Sequence, residues 1–340
     1  MIKNNGKKVL VLGGTGAMGV YLVPELASMG YNVHVVSLDK VESNNPNITY
    51  TQANVKDELY LKELLNNRYD AIVDFMIYST EEFLKKHKIF LENTSHYIFL
   101  SSYRVYANKE IPITEKSPRL LDASEDKEFL ATHIQEYSLY KAEQEDILQA
   151  SGYKNWTIVR PAITYSKLRY QLVTLEANVV VYRAFNKKTV ILPRDAMNIQ
   201  GTMSWAGDVA KMFSRIILNK KTYNEVYTIS TAEHHSWEEI ANYYKELIGL
   251  DYVIIDTEKY LSLYNPAWGK GPRYQLMYDR CFNRVIDNIK ILQVTGLKQS
   301  DFTSLKDGLK KELSVLPRDT NWSKTSLNDS FDKWLKDNNR

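Results

Sequence analysis

The sequence predicts an α/β protein with a doubly wound parallel sheet, followed by a smaller and irregular C-terminal domain. Three observations support this fold class. Apolar strand-like runs alternate with helical segments through the first half of the chain, which is typical of a parallel sheet covered on both faces. The first apolar run leads directly into a glycine string at residues 13–19, and the alternation decays after Pro161.

The first half of the chain supplies the sheet. Residues 7–12 are a β-branched and leucine run that predicts a buried strand. From Ala17 onward, apolar residues at helical spacing predict a helix that closes at Gly30. The further strand-like runs are residues 32–38, 48–51, 71–76, 97–101 and 157–160, and the further helical segments are residues 58–65, 81–91 and 133–148.

Beyond Pro161 the pattern is less regular. Ser236 and Glu239 form a capping box that opens a helix ending at Gly249. The other predicted elements are helices at residues 208–218, 304–313 and 327–335, strands at 225–230 and 252–256, and a loop at 265–272.

The glycine string, GGTGAMG at residues 13–19, lies at a predicted strand-to-helix turn. In such a turn Gly13 permits the tight backbone, Gly16 lets the backbone approach a pyrophosphate, and Gly19 lets the helix pack on the strand. The free amides and the positive end of the helix then face the phosphates. Followed by a second strand, the string predicts a Rossmann dinucleotide site. Its predicted cofactor residues are Gly13, Thr15, Gly16, Ala17, Met18 and Gly19.

The end of the second predicted strand bears on the choice between NAD and NADP. An acid there binds the ribose of NAD, whereas a basic residue accommodates the NADP phosphate. Ser37 stands where the acid is expected, Asp39 follows two residues on, and Lys40 adds a positive charge. Asp39 favours NAD, but NADP stays open as the cofactor.

We predict a dinucleotide-binding Rossmann domain over residues 1–165, to which residues 200–232 return, and a substrate-binding domain over residues 166–199 and 233–340.

The composition excludes several other classes of protein. The 340-residue chain has a net charge of +3 and 25% charged residues, so nothing indicates a nucleic-acid partner. The single Cys281 excludes an intramolecular disulfide, and no Cys/His cluster has metal-ligand spacing. No apolar stretch approaches the roughly 18 residues that a membrane helix needs. We expect a cytoplasmic protein without a metal or a membrane partner.

A second motif, Tyr137-x-x-x-Lys141, carries the predicted chemistry. The two side chains lie one helical turn apart and project from one face. A phenol has a pKa near 10 and is a poor base at neutral pH, but a neighbouring ammonium favours the phenolate. Ser101 and Ser102 follow the strand-like residues 97–100, which places a hydroxyl at the carboxyl edge of the sheet. The predicted catalytic residues are Tyr137, Lys141 and Ser102.

With these motifs the chain resembles the extended short-chain dehydrogenase/reductase family, which includes nucleotide-sugar epimerases and dehydratases. The glycine string matches the family's cofactor motif, residues 102–106 its catalytic Ser/Thr segment, and residues 137–141 its Tyr/Lys pair. Residues 159–161, 207–210 and 226–229 match later landmarks. The resemblance implies that Lys141 also holds the nicotinamide ribose. We further predict cofactor contacts at Asn54, Val55 and Met76.

The resemblance also reduces the number of reactions that the chain is expected to catalyse. Dehydratases of the family carry Asp-Glu after the catalytic Thr, where this chain has Tyr103 and Arg104. The acids that β-elimination needs are missing, and so is the glutamate usual in sugar-acid decarboxylases. The stretch from Met76 to Ser102 is short, which resembles an atypical branch that includes chloroplast stem-loop-binding proteins.

Three functions therefore stay open from the sequence. The first is an NAD(P)-dependent enzyme that epimerises a nucleotide sugar through a transient ketone. The second is a ketoreductase that releases its cofactor in every cycle. The third is a dinucleotide-sensing or RNA-binding protein that has kept the fold. The resemblance implies a homodimer through helices including residues 133–148.

Overall fold

The protein is described from a computed structural model that covers residues 5–340. The strands are β1 (Lys8–Leu12), β2 (Asn32–Ser37), β3 (Ile48–Gln52), β4 (Tyr69–Asp74), β5 (Thr94–Leu100), β6 (Trp156–Pro161), β7 (Ile163–Tyr165), β8 (Gln171–Leu172), β9 (Leu175–Glu176), β10 (Val190–Pro193), β11 (Gln200–Trp205), β12 (Glu225–Ile229), β13 (His234–Ser236) and β14 (Tyr252–Ile255). The helices are α1 (Gly19–Ser28), α2 (Glu58–Leu65), α3 (Thr80–Glu92), α4 (Leu120–Ala123), α5 (Lys127–Leu130), α6 (Tyr137–Ala150), α7 (Ala177–Phe185), α8 (Ala206–Ile216), α9 (Trp237–Ile248), α10 (Thr257–Leu261), α11 (Gly271–Gln275), α12 (Ile289–Thr295), α13 (Leu305–Ser314) and α14 (Ser326–Asp337).

The centre of the molecule is a seven-stranded parallel sheet in the order β12-β6-β5-β4-β1-β2-β3. This sheet confirms the predicted α/β fold class. Strand order reverses between β1 and β4, which are neighbours in the sheet. In sheets of this kind ligands bind beyond the carboxyl ends of the strands at that point.

Both faces of the sheet are covered, and β1 shows how its residues are divided between them. Val9 and Val11 pack into an apolar cluster with residues of α1 and α8. Leu10 and Leu12 point to the opposite face and pack with residues of α2 and α3. Successive side chains of a strand alternate between faces, so a continuous apolar run is what a strand buried on both sides requires.

Outside the central sheet the chain forms smaller sheets, β13-β11-β7, β10-β14 and β8-β9. Their side chains join α7, α9 and α13 in a third apolar cluster. Among residues 5–340, no helix combines the length and the apolar character that crossing a bilayer needs.

Several predicted boundaries are wrong by two to four residues, and two of them have a local cause. The helix predicted from His133 starts at Tyr137, because the Glu136 carboxylate accepts a hydrogen bond from the Ser138 amide and caps the helix there. The strand predicted to reach Met76 ends at Asp74, whose own carboxylate accepts from the Met76 amide at 3.0 Å. The predicted loop at 265–272 contains a 3₁₀ turn, Pro266–Trp268, and the start of α11.

A buried ion pair fixes α6 against the sheet. The Glu145 carboxylate is fully buried and lies 2.6 Å from the Arg160 guanidinium of β6. It also accepts a hydrogen bond from the hydroxyl of Ser101, which follows β5, and pairs with Arg119 at 3.3 Å. One carboxylate thus joins the helix to two strand ends.

We predict that Glu145→Gln destabilises the protein strongly. Arg160 would keep its charge in a buried place without a full counter-charge, which costs about 3–5 kcal/mol when one partner of a buried pair is removed. The free energy of unfolding in urea measures the loss. Asp146→Asn is the matched control, because the Asp146 carboxylate pairs with Arg119 from a half-exposed position, and such pairs contribute at most about 1 kcal/mol. Equal losses in the two variants would contradict the assignment.

Candidate functional site

A cleft of about 420 Å³ opens at the carboxyl edge of the sheet. One wall is the glycine turn after β1, and the other carries Ser102 and Tyr137 together with side chains from the second half of the chain. The predicted site residues that line it are Gly13, Gly16, Ala17, Met18, Gly19, Ser102 and Tyr137. The cleft therefore joins the two motifs that lie far apart in the sequence.

The glycine turn leaves its amides open toward the cleft. Gly13 has a φ of +71°, a left-handed conformation that favours glycine, and its amide donates to Val36 of β2 at 2.9 Å. A Cβ added at Gly16 would meet only the Gly13 carbonyl oxygen, at 3.6 Å, so that face is open. Within residues 5–340 the amides of Ala17 and Met18 have no acceptor. Such amides before a helix suit a phosphate group.

Two other glycines in the turn serve packing. A Cβ at Gly19 would lie 2.2 Å from the Gly14 carbonyl oxygen, so the first residue of α1 packs on the turn itself. The sequence reasoning expected Gly19 to lie against the strand, and that contact belongs to Gly14 instead. A Cβ at Gly14 would lie 2.8 Å from both Val11 of β1 and Val35 of β2. Gly14 was missed because its role depends on which strand side chains lie beneath the turn.

The residues predicted to read the adenosine ribose lie together beside this turn. The Thr15 hydroxyl donates to the Asp39 carboxylate at 2.6 Å. The buried Ser37 hydroxyl accepts from the Asp39 amide at 3.2 Å. Asp39 and Lys40 are exposed. The acid is therefore positioned next to the glycine turn, while the lysine stays in solvent.

The remaining predicted cofactor residues do not line the cleft. Asn54 is exposed, and its side chain accepts from the Lys56 amide at 3.0 Å. Val55 is buried in the apolar cluster under α2 and α3. The Met76 sulfur would lie 3.3 Å from a Cβ at Gly13, so it packs behind the turn. Their predicted cofactor contacts stay predictions.

Ser102 and Tyr137 lie close together on the second wall of the cleft. Ser102 begins a 3₁₀ turn, Tyr103–Val105, where its hydroxyl accepts from the Arg104 amide at 3.1 Å. Tyr137 is half-buried at the first residue of α6. Burial raises the pKa of its phenol, whereas the charges of Arg104 and Arg169 and the Ser102 hydroxyl lower it. The neighbouring Ser101 points away, toward Glu145.

Lys141 lies on the same helix but deeper than Tyr137. It is completely buried, and its Nζ donates to the Leu100 carbonyl at 2.8 Å. The Nζ lies 6.0 Å from the centre of the Tyr137 ring. Burial lowers the pKa of Lys141 to about 8, while the charges of Asp74 and Glu145 act in the opposite direction. Spacing placed both side chains on one helix face but did not show this difference in depth.

A group of arginines that the sequence motifs did not mark lies on the same wall of the cleft as Ser102 and Tyr137. Arg104, Arg169 and Arg280 line the cleft together with Gln275. Arg280 closes a π-helical turn, Leu276–Arg280, that continues α11. Such turns are frequent at functional sites. Arg169, Gln275 and Arg280 come from the irregular half of the chain, where no periodicity or motif marks them.

Two of these arginines, together with Arg284, surround one buried acid. Asp279 pairs with Arg280, with Arg284 at 3.1 Å and with Arg104 at 3.5 Å. Despite burial, these charges hold the pKa of the Asp279 carboxyl below its ordinary value. The site thus carries more positive than negative charge. Across residues 5–340, no three His, Cys, Asp or Glu side chains are grouped so that they could hold a metal ion.

Known proteins resemble this chain in part of its sequence and in its fold. Residues 13–181 match the profile of a family described as NAD(P)H-binding. The chain is 25% identical over 250 residues to the chloroplast stem-loop binding protein of 41 kDa b from Arabidopsis thaliana. That match covers 69% of this chain and 61% of the relative, so the chain spans about three fifths of the relative's length.

Solved structures share the fold over nearly the whole chain. The dTDP-glucose 4,6-dehydratase of Bacillus anthracis, in complex with NAD, has a TM-score of 0.66 at 18% identity and covers 91% of this chain and 96% of its own. The UDP-glucose 4-epimerase of Thermotoga maritima, with UDP-glucose, has a TM-score of 0.65 at 18% identity, covering 90% and 97%. The NAD(P)-binding class and the fold of epimerases and dehydratases, both predicted from the sequence, are confirmed.

We predict that Gly16→Val abolishes dinucleotide binding and leaves the protein folded. The branched side chain would project into the open face where the phosphates must approach, without meeting the protein beneath. Titration calorimetry with NAD and NADP, beside a thermal melt, measures both effects. Gly19→Ala is the contrasting variant, because its Cβ would clash with the Gly14 backbone and should lower the melting temperature. Unchanged NAD(P) affinity in Gly16→Val would refute the site.

We also predict that NAD binds more tightly than NADP. The Asp39 carboxylate beside Thr15 can accept from the ribose hydroxyls and would repel a 2′-phosphate. In a side-by-side titration, Asp39→Asn should reduce the ratio of NAD affinity to NADP affinity, and Lys40→Gln should increase that ratio. Tighter binding of NADP by the unaltered protein would show that Ser37 and Lys40 form a phosphate site.

Proposed function

Given an NAD(P)H-binding domain within the fold of epimerases and dehydratases, we propose that the protein is an enzyme acting on a carbinol or ketone carbon by hydride transfer, with a nucleotide sugar as its substrate and epimerisation as its reaction. One observation carries this proposal: a single cleft joins the glycine turn to Ser102 and Tyr137. A dinucleotide whose pyrophosphate lies on the turn can reach the hydroxyl groups on the opposite wall.

The two hydroxyl groups have distinct parts in the proposed reaction. Bound NAD(P) supplies a hydride acceptor and donor. The Tyr137 phenolate takes the proton of the substrate hydroxyl as the carbon is oxidised, and gives it back to the oxygen after the hydride returns to the opposite face. The Ser102 hydroxyl hydrogen-bonds the same oxygen. Positioned proton transfer of this kind contributes about 10² to 10⁴ in rate.

The charge of the cleft supports a nucleotide sugar. Arg169 lines the cleft with only a long contact of 4.0 Å to Glu176, and Gln275 lines the same cleft. A guanidinium with free donors suits the diphosphate of such a substrate. Tyr103 and Arg104 stand where dehydratases of the resembled family carry acids, which favours epimerisation over dehydration.

The ketoreductase alternative uses the same residues and differs in how firmly the cofactor stays bound. An epimerase returns the hydride in each cycle and should purify with its dinucleotide, whereas a ketoreductase must exchange it. Mass analysis of the protein as purified separates the two. We also infer a homodimer through α6, which light scattering tests.

A second candidate function is RNA binding, favoured by the similarity to a chloroplast stem-loop binding protein. Binding of a stem-loop RNA that weakens steeply with salt would support it. The cleft does not require this function, and its arginines are largely occupied by Asp279 and Glu136.

We predict that Tyr137→Phe lowers turnover by at least about 10², because it removes the proton-transferring hydroxyl and keeps the ring. The affinity for NAD(P) should stay unchanged. The assay follows interconversion of UDP-glucose and UDP-galactose first, and then of other UDP- and dTDP-hexoses, by chromatography. Tyr140→Phe is the matched control, because Tyr140 packs edge-on against Tyr137 at 5.5 Å without lining the cleft. Wild-type turnover in Tyr137→Phe would rule out the mechanism.

A further inference from the structure

Five charged side chains form a network at one wall of the cleft. Its cations are Arg104, Arg280 and Arg284, and its acids are Asp279 and Glu136. Four of these side chains are buried, and that of Arg104 is 15% exposed. With three cations and two acids, the network has one positive charge that no acid of its own balances. A charge withdrawn from water is costly unless it is paired, so this wall suits an anionic group of a ligand.

Arg104 is the cation of the network that has donors left for such a group. Its Nη2 donates to Glu136 at 2.9 Å, whereas its Nε lies 3.5 Å from Asp279 and has no hydrogen-bond partner within residues 5–340. Its Nη1 makes no hydrogen bond to any residue that the structure describes. Arg280 and Arg284 differ, because each donates from all three guanidinium nitrogens to oxygens of the protein.

Arg104 also lies beside the groups that hold the reacting oxygen in the proposed reaction. Its amide donates to the Ser102 hydroxyl at 3.1 Å, and its guanidinium lies over the face of the Tyr137 ring. All three residues line the cleft. Arg169, which suits the diphosphate of the substrate, pairs with neither acid of the network. An anionic group that meets Arg104 is therefore a second one, attached to the sugar next to the reacting carbon.

We propose that the substrate is a nucleotide-linked hexuronic acid, and that Arg104 binds its carboxylate. The inference rests on the proposed function and names the substrate class of that site. In such a sugar the carboxylate is attached to C5, next to the carbinol at C4. The carboxylate would balance the network and accept a charge-assisted hydrogen bond from Arg104. No bond to the carboxylate is made or broken, since the proton and the hydride leave and return at the neighbouring carbinol.

Binding to the NAD-loaded protein tests the inference without turnover. Titration calorimetry compares UDP-glucuronate with UDP-glucose, which differ only at C6, and UDP-galacturonate with UDP-galactose as a second pair. In at least one pair the acid should bind about 10-fold more tightly than its hexose, which corresponds to about 1.4 kcal/mol. The reason is that a hydrogen bond between two charged groups is stronger than one to a neutral hydroxyl.

Two substitutions separate the carboxylate from the diphosphate. Arg104→Gln should bring the ratio of acid affinity to hexose affinity close to one, and Arg104→Lys, which keeps the charge, should preserve part of it. Arg169→Gln is the matched control, because it removes a cleft arginine outside the network. It should weaken acids and hexoses alike and leave their ratio unchanged. A thermal melt and the affinity for NAD show whether each variant keeps its fold.

The inference and the proposed function can fail separately. Equal affinities of acid and hexose in both pairs, binding of none of the four sugars, or an unchanged ratio in Arg104→Gln would overturn the inference. Epimerisation of a neutral hexose by a protein with such equal affinities would leave the proposed function standing. An acid that binds more tightly through Arg104 but is not epimerised would support the inference and contradict the proposed reaction.

Discussion

The buried carboxylate of Glu145 is the constraint on which the site depends. It joins α6 to Ser101 after β5 and to Arg160 in β6, and Tyr137 begins the same helix two turns earlier. The place of Tyr137 at the edge of the cleft therefore depends on an ion pair in the core, which holds the helix that carries it. Ser102 follows Ser101 directly, so the contacts of Glu145 also fix the position of Ser102. A helix attached only by apolar packing could slide by a fraction of a turn, and the two hydroxyls would then separate.

The sequence predicted the central sheet well because its inner strands, β1, β4, β5 and β6, are buried on both faces and therefore have nearly continuous apolar sequences. It failed where tertiary packing overrides local preference. The segment of α7 is rich in valine, a residue typical of strands, yet it forms a helix in which Val179, Val180 and Val181 are buried. The short strands β10 and β11 were likewise missed, because pairing between distant segments leaves no local period.

The same distinction holds within the site. Gly13, Gly16, Ser102 and Tyr137 belong to motifs with fixed spacing, and the structure brings them to one cleft. Arg169 and Arg280 arrive from segments without a motif. Lys141 shows a further limit of prediction from sequence. The four-residue spacing predicts the face of the helix on which the side chain lies, but not how deeply it is buried. The depth of burial decides whether the ammonium contacts solvent, a cofactor or a backbone carbonyl.

The π-helical turn that carries Asp279 and Arg280 has a bearing on how this site could change over evolutionary time. A π turn holds one residue more than the α turn it interrupts, and each residue of a helix turns the chain by about 100°. Deleting a single residue within Leu276–Arg280 would therefore swing the acid and the arginine away from Arg104 together. A single deletion in a descendant could therefore change the distribution of charge in the cleft, without altering any of the residues in the glycine turn.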